Sequence, residues 1–342
     1  MRCCKGNRKI PALKGEKIMG KFAKTALKAA AGAGAFYLAS GAIVYECVLD
    51  IPLLMKIKGS GIFKKKNEEE FWDKCEIRKQ ANEWYEKNEP EDTAIFSRLG
   101  RNMKGKVFEP ANGGHNWAIV IHGYSSCTAA MALYAQTYYK KGFGIVMPHM
   151  VGHGPDTVRH CSMGYYDRFM ILDWIDYIID RDPEAKIVIH GESMGSATTM
   201  LVTGEPLPSN VLCAVADCGY TSCWDEYASQ MKEMFHLPNF PFLYAANTVS
   251  KLTGNFDFKK CSPLEAVKHS NTPTLFVHGE ADKFVPYEMC KPLYEACSAP
   301  EKRMLSVPNA FHASAIYFDY DKYKQTLEEF VGKYFDDFSD KI

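Results

Sequence analysis

The sequence predicts the α/β class: a mainly parallel, twisted sheet with helices on both faces and a helical cap insertion. Three observations carry this. From Asn116 onward, apolar runs alternate with helical patterns, the rhythm of strand–helix–strand units. One of those runs ends in Gly191-Glu192-Ser193-Met194-Gly195 and leads straight into a helix-compatible stretch. The rhythm then stops for about fifty residues between Cys218 and Asn271 and resumes afterwards. At 342 residues, 46% hydrophobic and 24% charged, the chain can bury one large core and still carry an appendage.

In chain order, residues 1–28 form a basic tail, 29–49 a candidate membrane-anchor helix and 50–92 a charged connector. Within the connector, residues 68–87 read as a charged amphipathic helix able to lie on the body. Residues 93–338 form the main domain. It opens with a hairpin at 93–108, broken at Gly100, and continues with apolar strands at 117–121, 186–189, 212–216, 274–278 and 304–307. The segment at about 219–270, rich in Met and aromatic residues, is expected to form the cap.

The Gly-x-Ser-x-Gly turn has a mechanical meaning. A serine on a sharp turn between strand and helix has its hydroxyl lifted clear of the sheet, and residues without Cβ let the two elements approach. The hydroxyl is a poor nucleophile until a base takes its proton, and that base needs an orienting acid. In the chain order Ser, acid, His, the base is His312, in the loop after the apolar run at 304–307. The acid is Asp282, which leaves the strand at 274–278 by way of Gly279; Asp217, ending the strand at 212–216, is the rival, and Glu280 a weaker one. Met194 should supply one amide of an oxyanion hole, and Tyr124, after His122-Gly123, the other.

With His122-Gly123, Gly152-His153-Gly154, Gly191 to Gly195, His278-Gly279 with Asp282 and Pro286, and His312 in this order, the chain resembles bacterial α/β-hydrolases of the serine-esterase and prolyl-oligopeptidase-like group. That group includes members with an N-terminal membrane anchor. It often carries Asp-x-Arg before Gly-His-Gly, whereas here those positions read His149-Met150-Val151, so the usual hydrogen bonds of that loop are not expected. The resemblance implies an α/β-hydrolase fold with a helical cap over the nucleophile. Trp224 and Phe235 in that cap are the candidate substrate-binding residues, with packing of the cap onto the body as the alternative role for its Met and aromatic side chains.

Residues 29–45 carry no charge, which is at the short end for a spanning helix, and packing on the protein is the alternative. Nine Lys or Arg precede Ala29 and further lysines follow at Lys56, Lys58 and 64–66, so orientation depends on where translation starts. A start at Met19 would leave Lys21, Lys24 and Lys28 before the stretch and favour a cytoplasmic catalytic domain. A net charge of zero argues against a nucleic-acid partner. The twelve cysteines, without a Cys-x-x-Cys, suit reduced thiols better than a disulfide framework, although Cys213, Cys218 and Cys223 are close enough in sequence for a bridge. His149, His153 and His160 fail as metal ligands because Gly152, Gly154 and Pro155 break any helix that would align them.

The expectation is a membrane-associated serine hydrolase that cleaves small-molecule carboxylic esters of short to medium acyl chain, without metal or cofactor. A peptidase, acyltransferase or thioesterase on the same residues is the alternative. A non-catalytic membrane scaffold is the reading from another class, and the intact set Ser193, Asp282 and His312 speaks against it.

Overall fold

The computed structural model describes residues 33–50, 66–233, 236–336 and 338. Helices α1 (Ala33–Leu49), α2 (Lys66–Lys74) and α3 (Glu76–Asn88) precede the sheet. Then come β1 (Glu91–Ser97), β2 (Arg101–Phe108), β3 (Asn116–Ile121), α4 (Ala132–Tyr139), β4 (Gly144–Pro148), α5 (Asp167–Arg181), β5 (Lys186–Glu192), α6 (Met194–Thr203) and β6 (Val211–Asp217). The interruption in rhythm holds α7 (Cys223–Glu233), α8 (Asn239–Leu252) and α9 (Pro263–Val267). The chain closes with β7 (Thr274–Gly279), α10 (Cys290–Ala296), β8 (Lys302–Val307), α11 (Ala315–Phe318) and α12 (Tyr320–Val331).

The sheet has the order β1-β2-β4-β3-β5-β6-β7-β8, antiparallel from β1 through β4 and parallel from there on. Its central strands are buried on both faces, as a sheet sandwiched between helices requires. Trp117, Ile119 and Ile121 of β3 pack with Ile171, Trp174 and Ile178 of α5. The alternate residues Ala118 and Val120 pack with Tyr134 of α4 and Leu327 and Phe330 of α12. Because β3, β5, β6, β7 and β8 run the same way, the loops after them gather at one edge, where sites in open α/β sheets form.

The N-terminal helices bear on two expectations. Helix α1 is 17 residues long, and no helix among the described residues is long and apolar enough to cross a membrane. Its C-terminal half instead packs on α8: Tyr45, Val48 and Leu49 are buried. A Cβ at Gly41 would stand 2.5 Å from the Ala245 carbonyl, so only glycine allows this helix–helix approach. Past its end, Asp50 pairs with Arg159, and Tyr45 Oη lies 3.3 Å from His160 Nδ1. Residues 29–32 lie outside the described residues. The single amphipathic helix expected in the connector is two helices, broken at Cys75, with Tyr85 Oη 3.2 Å from Thr128 Oγ1.

Within the insertion, α7 and α8 pack on each other, whereas α9 packs on the end of α6, where Gly204 meets Ala266. The ten described cysteines are free, including Cys213, Cys218 and Cys223.

Candidate active site

The nucleophile turn is dictated by its two glycines. A Cβ on Gly191 would fall 2.1 Å from the Gly195 carbonyl oxygen, and one on Gly195 would fall 2.1 Å from the Ile121 carbonyl oxygen. Neither position can hold a side chain while β5, β3 and α6 keep their places. Ser193 between them sits at φ 57°, ψ −116°, a conformation L-residues avoid and functional sites retain. Its amide donates to the Asp217 carbonyl at 2.8 Å, which ties the turn to β6.

His312 reaches this serine from the loop after β8. Its Nε2 is 2.9 Å from Ser193 Oγ, and its Nδ1 is 2.7 Å from Asp282 Oδ2. Asp282, in the loop after β7, is fixed by the amides of Phe284 and Val285, which donate to Oδ1 at 2.9 and 3.0 Å. Burial works to raise the Asp282 carboxyl, but the His312 charge and hydrogen bonds from His278 and His312 outweigh it and hold it well below the ordinary range. His312 shows the converse. Burial lowers it, and the charge and hydrogen bond of Asp282, with Glu226 and Glu192 behind, raise it above the usual histidine value.

A second imidazole backs the acid. His278 Nε2 donates to the Val285 carbonyl at 3.0 Å and stands 3.4 Å from Asp282 Oδ2. Burial alone would lower it, yet Asp282 and Cys290 bring it up to about 10. Asp282 is thus a carboxylate set between two histidines.

The loop after β3 is clamped by two more. His122 Nδ1 donates to the Gly123 carbonyl at 2.9 Å, leaving Nε2 to accept from the Met150 amide at 3.2 Å. His153 Nδ1 donates to the Val151 carbonyl at 2.9 Å, and its Nε2 accepts from the Ser125 amide at 2.9 Å. Both rings therefore work as neutral imidazoles, and burial holds His122 well below the usual value. The clamp sets Gly123 beside Ser193, where a Cβ would stand 3.2 Å from the serine's own. The absent Asp-x-Arg pattern is replaced from further along the chain. Asp167 Oδ1 accepts from the Val151 amide at 2.7 Å and Asp156 Oδ2 from the Gly152 amide at 2.8 Å. Tyr124 follows Gly123 in this loop and donates its hydroxyl to the Val48 carbonyl of α1. Met194 opens α6, so its amide has no acceptor within the helix.

The rival acid Asp217 is elsewhere. It lies beneath the nucleophile turn, where Tyr134 Oη donates to Glu192 Oε2 and Asp217 Oδ2 at 3.0 and 3.2 Å, and Tyr323 Oη to Asp217 Oδ2 at 2.8 Å. Burial raises these carboxyls to about 7 for Glu192 and about 6 for Asp217. Glu280, by contrast, is exposed.

In the insertion, the ring of Trp224 meets Tyr244 edge-on at 4.9 Å, with the Lys259 ammonium 4.4 Å above. Phe235 lies outside the described residues. The α7 residues that are buried are Cys223, Glu226, Tyr227, Gln230 and Met231, spaced as one face of a helix. Glu226 is therefore a carboxyl inside an otherwise mostly apolar stripe, a signal the 3.6-residue period of α7 already contained. Burial pushes it up to about 8, and the next largest influence is His312. His149, His153 and His160 form no group with ligand atoms in mutual reach among the described residues; Cys218, Asp282 and His312 do, but the last two already bond to each other.

The prolyl oligopeptidase family pattern matches residues 131–338. Among curated proteins, an uncharacterized Bacillus subtilis protein, YqkD, is 26% identical over 251 residues, covering 73% of this chain and 81% of that one. An uncharacterized Escherichia coli K12 protein, YfhR, is 21% identical over 247 residues, covering 70% and 80%. Among solved structures, the Pyrococcus furiosus esterase Pf2001 aligns with a TM-score of 0.59 at 20% identity, covering 72% of this chain and 93% of that one. The Pyrococcus horikoshii acylaminoacyl peptidase aligns with a TM-score of 0.55 at 19% identity, covering 72% of this chain and 41% of the longer one. The two structures share the α/β-hydrolase fold. With the family pattern spanning well over half of its length, and the strand order and nucleophile turn already described, this chain belongs to the prolyl oligopeptidase family of serine hydrolases.

Proposed function

We propose that this serine hydrolase cleaves carboxylic esters through an acyl-enzyme. Ser193 Oγ attacks the ester carbonyl carbon while His312 Nε2 takes its proton. Asp282 orients the imidazole and stabilises the imidazolium. The oxyanion is held by the amides of Tyr124 and Met194. When the tetrahedral adduct collapses, the C–O bond breaks and the alcohol leaves with the proton from His312. Water then repeats the sequence to release the acid and restore Ser193.

The observation that carries the ester reading is the cover on the site. Ser193 is 5% exposed, and α7, with Tyr227 and Met231 buried on one face, is joined to the His312 side of the site through Gln230 and Phe284. A small acyl group fits such a place more readily than an extended polypeptide. A panel of p-nitrophenyl esters of graded chain length, with an aminoacyl amide beside it, tests this. Esters should turn over faster than the amide, with preference rising up to a few-fold per carbon, since a buried methylene contributes about 0.8 kcal/mol. Faster cleavage of the amide than of any ester would make the protein a peptidase.

A further inference from the structure

One buried carboxyl in the α7 helix has an oxygen without a partner, and the group has no place in the acyl-transfer steps. Glu226 is 2% exposed, yet Oε2 has no hydrogen-bond partner among the described residues. Its other oxygen, Oε1, accepts from Gln230 Nε2 at 2.9 Å. Gln230 also donates to the Phe284 carbonyl, and the Phe284 ring lies 4.8 Å from that of His312. Through this chain of contacts the carboxyl is tied to the Phe284 segment, whose ring packs against the reacting histidine. The charges that act on it are those of His312, Asp282 and His278. Without a partner at Oε2, burial favours the protonated form of this carboxyl, and a cationic donor there would supply both the partner and the charge that favour the carboxylate.

We infer that Glu226 is a specificity group that binds a cationic amine of the substrate, so that the preferred esters carry a positive charge close to the scissile bond. The inference rests on the ester reading above and narrows it. Two sources of that charge share the chemistry: an ammonium on the acyl side, as in an aminoacyl ester, or a protonated amine on the alcohol side, as in a dialkylaminoethyl ester. A neutral ester of the same shape fills the space but leaves Oε2 unpaired.

The test compares kcat/KM within two matched pairs. L-Alanine methyl ester is set against N-acetyl-L-alanine methyl ester, and 2-(dimethylamino)ethyl butyrate, protonated at neutral pH, against its uncharged isostere 3-methylbutyl butyrate. The wild type should favour the cationic member of one pair by about tenfold or more, the range of a hydrogen bond to a charged group. Which pair responds identifies the source. The readout is the ratio within a pair, and Glu226→Gln, close in volume and uncharged, should bring it near one, with Glu226→Asp in between. As a binding readout, n-butylamine should slow fluorophosphonate labelling of Ser193 in the wild type more than in Glu226→Gln. Ratios near one for both pairs in the wild type, or a ratio that Glu226→Gln leaves unchanged, would overturn the inference. So would equal losses on cationic and neutral esters, because that marks Glu226 as a positioning residue acting through Gln230 and Phe284. Turnover of none of the four esters, with Ser193 still labelled, would instead overturn the ester reading itself.

Discussion

The floor of the site and its roof are built by different means. The floor is made of backbone: two positions where only glycine fits, one serine at positive φ, and loops leaving adjacent parallel strands. The roof is made of side chains. Helices α7 and α8 hold Trp224, Tyr244 and Lys259 against one another, and α1 supports α8 from outside through the approach of Gly41 to Ala245. Floor geometry is thus set by chain connectivity and tolerates almost no substitution. Roof geometry is set by packing and has room to vary. Substitutions in the floor should stop the chemistry, and substitutions in the roof should change stability and selectivity.

The largest effect tests the floor. Ser193→Ala and His312→Ala should each lower kcat by about 10⁴ or more, with little further loss when combined, because nucleophile and base act as a unit. Steady-state kinetics on a p-nitrophenyl ester measures this, and additive losses would break the picture of a single line from Asp282 to Ser193. Asp282→Asn should cost somewhat less. Asp217→Asn should retain far more activity than Asp282→Asn, since Asp217 is bound to Tyr134 and Tyr323 and not to His312. The reverse order would mean that β6, not β7, supplies the acid.

A pH profile tests the same line with a smaller change. His312 must be neutral to accept the serine proton, and its pKa is raised, chiefly by Asp282 working against burial. The base therefore becomes available only at higher pH, so the acid limb of kcat/KM should have its midpoint above the ordinary value of about 6.5. Asp282→Asn should move that midpoint downward. A midpoint that rises or stays fixed in the variant would contradict the assigned cause.

The smallest catalytic effect belongs to the roof. Trp224→Ala removes a large ring from the Tyr244 and Lys259 contacts and should lower unfolding stability by about 2–3 kcal/mol, less than a fully buried Trp would cost. Its chain-length profile on esters should stay close to that of the wild type. A clear change of profile at unchanged stability would return Trp224 to the acyl pocket.

The same contrast explains what the sequence made legible. Ser193, His312 and Asp282, which the structure brings into hydrogen-bond reach, could be singled out because each sits at a strand end, in a chain order that the chemistry constrains. The strand rhythm from Asn116 made most of the sheet readable, but not β4, a five-residue strand between β2 and β3. Residues whose role depends on what faces them were not. Trp224 looked like a pocket residue because aromatic side chains serve cores and pockets alike. His278 gave no sign that it would back Asp282, because its role follows from the turn at 279–285 folding over it. Glu226 could have been singled out by its place in the buried spacing of α7. The stretch at 29–45 was ambiguous because the small, uncharged residues of a spanning helix also let two helices pack closely, as Gly41 and Ala245 do.

The central claim is that the floor alone makes Ser193 a nucleophile. Treatment of the wild-type protein with a fluorophosphonate, followed by peptide mapping, tests it most directly. One modification should be found, on Ser193, and His312→Ala should abolish it while Trp224→Ala leaves it in place. Absence of label on Ser193, or equal labelling in His312→Ala, would contradict the account.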